Sequence, residues 1–133
     1  MLWTATMPPL LLTQIAVAAV WVYEGFWCKL LGRMPHQFEV VGAVPFFGPR
    51  SATWVLRTLG LVECALAVWV LSGWQPFCAA AAQTGLLVTM NCGGLLWARQ
   101  IIPDPAGMVV KNFAFLLLAW VAAAQAALPR VSG

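Results

Sequence analysis

The sequence predicts an all-α, polytopic membrane protein in which four transmembrane helices form one antiparallel bundle. Hydrophobic residues make up 62% of the 133 residues and charged residues only 8%, whereas soluble domains are about 45–50% apolar and about 25% charged. A soluble domain of this size cannot bury that much apolar surface. Long uncharged stretches separated by short clusters of Pro, Gly and charged residues are typical of transmembrane helices joined by loops.

Four apolar stretches have the ~20 residues that a helix needs to cross a hydrocarbon core of roughly 30 Å. They cover residues 10–31, 52–71, 77–98 and 107–128. The sequence contains no internal repeat, and we assign all four stretches to a single domain over residues 1–133.

Pro residues and short turns mark the boundaries of these stretches. Pro8 and Pro9 precede the first, and Pro is tolerated at a helix start. Ser72 follows the second, and the turn from there to Pro76 is so short that it predicts an antiparallel helical hairpin. Residues 103–105, Pro-Asp-Pro, separate the third stretch from the fourth because Pro blocks helix continuation.

The first connection is unusually long for so small a bundle. It reads RMPHQFEVVGAVPFFGPRS and combines Pro residues with an apolar centre. We predict a short interfacial helix from about Pro35 to Val41, followed by a hydrophobic turn on the mouth of the bundle.

The basic residues predict the orientation in the membrane, because Lys and Arg accumulate in cytoplasmic loops. The first and third connections are therefore predicted to be cytoplasmic, or on the matrix side if the membrane is mitochondrial. Both termini then face outside. The predicted location is a bacterial inner membrane. Six of the eight Trp residues fall into two interfacial belts, whereas Trp21 and Trp120 fall into neither. The basic residues in or beside the two connections are Lys29, Arg33, Arg50, Arg57, Arg99 and Lys111.

Each predicted helix also carries a polar side chain at a similar depth. Counting ~1.5 Å per residue from the cytoplasmic ends places Glu24, Arg57, Asn91 and Lys111 about 6 to 10 Å inside the membrane, and Glu63 at about 16 Å. Charged groups at such depths are expected to face the bundle interior and to pair. Lys29 and Arg99 lie near span ends and are interpreted as snorkelling residues.

This polar layer has two interpretations. In the structural one, Arg57 and Lys111 neutralise Glu24 and Glu63, Asn91 donates a hydrogen bond across the bundle, and the network fixes the helix packing. In the functional one, the same groups line a cavity that is used by a quinone head group, an anionic lipid or a proton pathway.

Small residues recur every four positions in the third and fourth stretches. Such stripes allow a neighbouring backbone to approach closely, either within the bundle or from a partner subunit. The two stripes are Ala81, Gly85, Thr89 and Gly93, and Ala119, Ala123 and Ala127.

Other site classes have little support in the sequence. Cys28, Cys64, Cys78 and Cys92 form no CxxC pair, which argues against a thiol relay. The single His36 makes a metal site improbable. We find no nucleotide-binding loop, no nucleophile elbow and no nucleic-acid signature, so no catalytic residue and no nucleic-acid partner are predicted.

Three segments, VWVYEGFWCKLLG, LGLVECALAVWV and MNCGGLLWARQIIPDPAGMVVKNFAFLLLAW, resemble the DoxX-like family of small four-helix integral membrane proteins. The likeness covers about residues 10–127. The family is named after small subunits of a thiosulfate:quinone oxidoreductase, and its relatives include accessory components of membrane redox systems. The resemblance implies a four-helix bundle and assigns no chemistry to the family-like positions, which are Glu24, Lys29, Glu63, Asp104, Lys111 and Asn112.

Two functions follow as expectations. The first is a non-catalytic accessory subunit or assembly factor of a larger, redox-linked membrane complex. The expected partners are the lipid bilayer and other membrane protein subunits. The second is a quinone- or small-molecule-binding oxidoreductase component, with quinone as the candidate cofactor and no metal. The site residues predicted for a ligand or for structural polar contacts are Glu24, Arg57, Glu63, Asn91, Lys111 and Asn112.

Overall fold

The computed structural model describes residues 9–33, 35–45 and 48–128, and all regular structure in these ranges is helical. The five helices are α1 (Leu10–Val22), which continues directly into a π-helical segment (Tyr23–Leu30), α2 (Pro35–Gly42), α3 (Gly48–Ser72), α4 (Pro76–Trp97) and α5 (Pro105–Ala127). The predicted all-α class is confirmed. Both termini and the side chain of Arg50, on which part of the predicted orientation rests, lie outside the described residues, and so does the side chain of His36.

Three helices in these ranges are long and apolar enough to cross a membrane, whereas the sequence predicted four. They are Leu10–Leu30, Ser51–Ser72 and Pro105–Ala127. Helix α4 has 22 residues and no charged side chain, but Gln83 and Asn91 lower its mean hydropathy. The membrane crossing of α4 therefore stays a prediction.

Local sequence explains where α4 and α5 begin. Gln75 adopts a left-handed conformation with φ of 46°, and Pro76 then occupies the first turn of α4, where its missing N–H costs no helical hydrogen bond. At α5, the Asp104 side chain accepts a hydrogen bond of 3.0 Å from the backbone N–H of Gly107, which is an N-cap. The short helix predicted in the first connection is observed as α2.

Helix α1 packs against α3 and α5, and α4 packs mainly against α5. Its first turn lies beside the end of α5, where the Thr13 hydroxyl donates a hydrogen bond of 2.6 Å to Gln125 Oε1. Further along α1, the Trp21 ring packs edge-on against Phe115 with centroids 5.4 Å apart. On another side, Gln14 Nε2 donates to the carbonyl oxygen of Val70 in α3. The hydrophobic core formed here includes Val17, Ala18, Trp21, Leu66, Ala67, Val70, Leu87, Ala119 and Ala122.

The outer surface of the helices is strongly apolar. Large hydrophobic side chains are exposed on α1, α3, α4 and α5, for example Phe113 at 71% and Trp54 at 70%. Soluble monomers rarely expose apolar patches of this extent, whereas lipid chains solvate them. The exterior therefore matches a bilayer environment.

The two small-residue stripes face in different directions. On α5, Ala119 and Ala123 are buried in the protein, whereas Ala127 at the end of the helix is exposed. On α4, Ala81, Gly85 and Thr89 are exposed, and a Cβ atom placed on Gly85 would meet no atom within 4 Å. The α5 stripe therefore serves internal packing, and the α4 stripe does not.

Candidate functional site

The candidate site is built where the π-helical segment crosses α3 in direct backbone contact. A Cβ atom on Gly25 would lie 2.6 Å from the carbonyl oxygen of Gly60, and one on Gly60 would lie 2.8 Å from the carbonyl oxygen of Gly25. Such reciprocal contact is possible only without side chains at both positions. The two glycines therefore set the distance between the segments that carry the charged residues.

A buried ion pair lies directly beside this crossing. The Nζ atom of Lys29 is 2.8 Å from Glu63 Oε1 and 3.1 Å from Glu63 Oε2. The Glu63 side chain is 0% exposed and that of Lys29 is 8% exposed. Charges this deeply buried require a partner, because an unpaired one would carry its full desolvation penalty.

Glu24 is a second, more distant carboxylate at the same ammonium group. Its Oε2 atom lies 3.7 Å from Lys29 Nζ, and its side chain is 40% exposed. Lys29 Nζ also donates to the backbone carbonyl of Glu24 at 3.4 Å, and Gln37 Nε2 of α2 donates to Glu24 Oε2 at 3.3 Å. We call Glu24, Lys29 and Glu63 the ion triad.

The π-helical winding explains why Glu24 and Lys29 meet. In an α-helix, residues five positions apart are separated by about 140° around the axis. A π-helix forms its hydrogen bonds between residues five apart, as in the bond of 2.9 Å from the Leu31 N–H to the Phe26 carbonyl. Glu24 and Lys29 therefore lie on one face. Short π-helical insertions occur frequently at functional sites.

The two residues that were predicted to neutralise the carboxylates are not in this site. The expectation that Arg57 and Lys111 compensate the carboxylates is wrong, because both side chains are exposed and Lys29 pairs with Glu63. The interpretation of Lys29 as a snorkelling residue is wrong for the same reason.

The two predicted asparagines form a separate contact between α4 and α5. Asn112 Nδ2 donates a hydrogen bond of 2.9 Å to Asn91 Oδ1, and Asn91 Nδ2 donates to the Leu87 carbonyl of its own helix. The single predicted layer is thus divided into the ion triad and this asparagine pair. Whether either of them binds a ligand stays a prediction.

A third buried polar contact was missed at the sequence level. The Trp21 indole N–H donates a hydrogen bond of 2.8 Å to Gln83 Oε1, and both side chains are almost fully buried. The available signal was the position of Trp21 outside both predicted interfacial belts. This bond joins α1 to α4 in the middle of the core.

Two cavities in the described part of the structure have linings that exclude the ion triad. One, of about 20 Å³, lies between Gln14, Gln83 and alanines of α5 next to the turn before α4. That volume holds roughly one water molecule. The other is an open groove along residues 95–101 at the end of α4. Neither is lined by Glu24, Lys29 or Glu63.

Comparison with known proteins gives one family. A model described as the DoxX-like family matches residues 18–120, which is more than half of the chain. This range contains the ion triad, the asparagine pair and the contact between Trp21 and Gln83. Nothing matches among curated proteins, and nothing matches among solved structures.

Proposed function

Because the chain belongs to the DoxX-like family, we propose that this membrane protein is a non-catalytic accessory subunit or assembly factor of a larger, redox-linked membrane complex. The redox link rests on the family resemblance. The accessory role rests on the exposed face of α4, and the geometry of the ion triad is consistent with it.

The proposal includes four membrane crossings in an antiparallel bundle. Three contacts support it. The start of α1 contacts the end of α5 through Thr13 and Gln125, and the start of α4 contacts the later part of α5 through Phe77 and Trp120. In addition, α1 contacts the end of α3 through Gln14. In each of these contacts the start of one helix meets the later part of the other, as expected for antiparallel helices. The length of α4 suits a fourth crossing.

One observation supports the accessory role, namely the small and exposed residues on the outer face of α4. Ala81, Gly85 and Thr89 are exposed and lie about one helical turn apart. The Thr89 hydroxyl donates to the Gly85 carbonyl at 2.7 Å, so its polar group is satisfied within the helix. In a membrane, small residues on an outer face let another helix approach closely, and close packing drives helix association there. An apolar transmembrane helix of a partner subunit fits this face.

The ion triad supports a structural role in this protein. Lys29 and Glu63 neutralise each other beside the crossing at which Gly25 and Gly60 are in close contact. Neither of the two cavities described above is lined by a residue of the ion triad. A buried ion pair of this kind fixes which helices pack together.

The test compares two variants in affinity purification at native expression level from mild detergent. Gly85→Leu places a large side chain on the proposed docking face, and we expect it to lose stoichiometric membrane subunits that co-purify with the wild type. Val110→Leu, on an exposed position of α5, is the matched control and should retain them. A wild-type protein that purifies alone, or equal partner recovery with both variants, would contradict the accessory role.

The second candidate function is a quinone- or small-molecule-binding component. It is favoured by the burial of Glu63 and Lys29, because ionisable residues inside membranes often mark functional pathways. The double variant Glu24→Gln with Glu63→Gln separates the two functions. Loss of turnover of the host complex with normal assembly would support ligand binding, and loss of assembly alone would support the accessory role.

A further inference from the structure

The charges of the ion triad do not balance. Two carboxylates face one ammonium group, and the ammonium group is closer to one of them. Lys29 Nζ lies 2.8 Å from Glu63 and 3.7 Å from Glu24. Since Lys29 neutralises the fully buried Glu63, one negative charge remains, and it resides on Glu24.

The surroundings of Glu24 offer a second unsatisfied group. Gln37 Nε2 donates to Glu24 Oε2 at 3.3 Å, while Gln37 Oε1 is buried and receives no hydrogen bond from the residues that the structure describes. The two amide atoms are bonded to the same carbon, so the unpaired oxygen belongs to the amide group that contacts the carboxylate. Rotation of the amide by half a turn would place Oε1 where Nε2 now lies.

We propose that Glu24 and Gln37 form a binding site for one singly charged cation. Carboxylate, amide and water oxygens are the ligands that hard cations prefer. Glu24 is 40% exposed, so water can complete the coordination shell. The charge that remains after Lys29 pairs with Glu63 is a single one, which matches Na⁺, K⁺ or the ammonium group of a lipid head group. This inference is independent of the accessory role.

The site joins α2 to the π-helical segment. Gln37 is on α2, and Glu24 is on the first membrane-spanning helix. A cation held by both would tie the helix of the first connection to the bundle. Cation binding should therefore raise the thermal stability of the folded protein, because a ligand that binds only the folded state stabilises it.

The test uses the full chain in phosphatidylcholine nanodiscs, where the lipid carries no primary ammonium group. Thermal unfolding is measured while NaCl or KCl replaces choline chloride at constant ionic strength. We expect the melting temperature of the wild type to rise with Na⁺ or K⁺, and Glu24→Gln to abolish the rise. Glu39→Gln, which changes an exposed carboxylate on α2, is the matched control and should keep it. If neither ion acts, phosphatidylethanolamine added to the nanodiscs should give the same rise and the same loss.

A second readout and a second variant cover failure of Glu24→Gln to fold. Equilibrium binding of radioactive Na⁺ should saturate at about one ion per chain if Na⁺ is the ligand, and Gln37→Leu should weaken binding at least tenfold. A melting temperature that is indifferent to Na⁺, K⁺ and phosphatidylethanolamine would overturn the proposal. An ion dependence that persists in both Glu24→Gln and Gln37→Leu would also overturn it.

Discussion

At the scale of single residues, Lys29 determines whether the buried charges are tolerable. Its Nζ atom lies 2.8 Å from Glu63 Oε1, and the Glu63 side chain has no exposed surface. In water an exposed pair of this type contributes little, but in the interior the loss of one partner leaves an uncompensated charge. Removing one partner of the pair therefore costs more free energy than the intact pair contributes to stability.

Lys29→Met should destabilise the protein by about 3 to 5 kcal/mol, because Glu63 would remain buried without a partner. The measurement is the free energy of unfolding in detergent micelles. Arg57→Met removes a charge from an exposed position of α3 and should have little effect. Adding Glu63→Leu to Lys29→Met should recover most of the loss. Equal stability of Lys29→Met and Arg57→Met would refute the importance of the ion pair.

The hydrogen bond between Trp21 and Gln83 gives a second prediction for single residues. Trp21→Phe keeps an aromatic ring in the core but leaves Gln83 Oε1 without its donor, which should cost about 1 to 3 kcal/mol. Unfolding measurements on Trp21→Phe, Gln83→Leu and the double variant form a mutant cycle. A coupling near zero between the two positions would show that this bond contributes nothing to stability.

At the scale of helices, sequence reasoning succeeded where hydropathy and Pro determine the outcome. Helix α4 begins one residue before the predicted stretch, at Pro76, and α5 begins at Pro105. The pairing within the ion triad could not be predicted because depth counting assumed α-helical winding throughout. A π-helical segment over Tyr23–Leu30 changes which residues share a face of the helix. No residue pattern in the sequence predicts this segment. The direction of the two small-residue stripes likewise depends on tertiary packing.

The crossing of the π-helical segment and α3 predicts opposite effects for glycine substitutions in different helices. Gly25→Ala and Gly60→Ala should each destabilise by about 1 to 3 kcal/mol or more, since the added methyl group meets backbone. Gly85→Ala on α4 is the matched control. Its Cβ would have open space, and Ala is the better helix former, so stability should rise by up to about 1 kcal/mol.

Thermal unfolding of the three glycine variants in the same detergent tests this comparison. Loss of the close approach should also separate Lys29 from Glu63, so Gly60→Ala and Lys29→Met should not be additive. Full additivity would mean that the glycine contact and the ion pair are independent.

At the scale of the whole molecule, sequence and structure together predict the path of α4 relative to the membrane. Its flanks follow the expected pattern, with a tight turn at residues 72–76 and a polar connection at residues 98–104. Its contacts run along α5 from Trp120 opposite Phe77 to Asn112 opposite Asn91. Because α4 follows α5 over this distance, and α5 is long and apolar enough to span a membrane, we predict that α4 also passes through most of the bilayer. The polar residues that lower its hydropathy are largely satisfied internally, since Gln83, Thr84, Thr89 and Asn91 each donate to a carbonyl of α4.

Membrane-side labelling tests the crossing directly. In a background with the four Cys residues replaced by Ala, single Cys residues are introduced as Ser72→Cys and Gln100→Cys, both at exposed positions. We expect a membrane-impermeant maleimide to label Ser72→Cys from outside in intact cells and Gln100→Cys only after the membrane is opened. The basic residue Arg99 beside the second position favours the cytoplasmic side. Labelling of both positions from the same side would show that α4 does not cross, and the protein would then have three transmembrane helices with α4 packed against them.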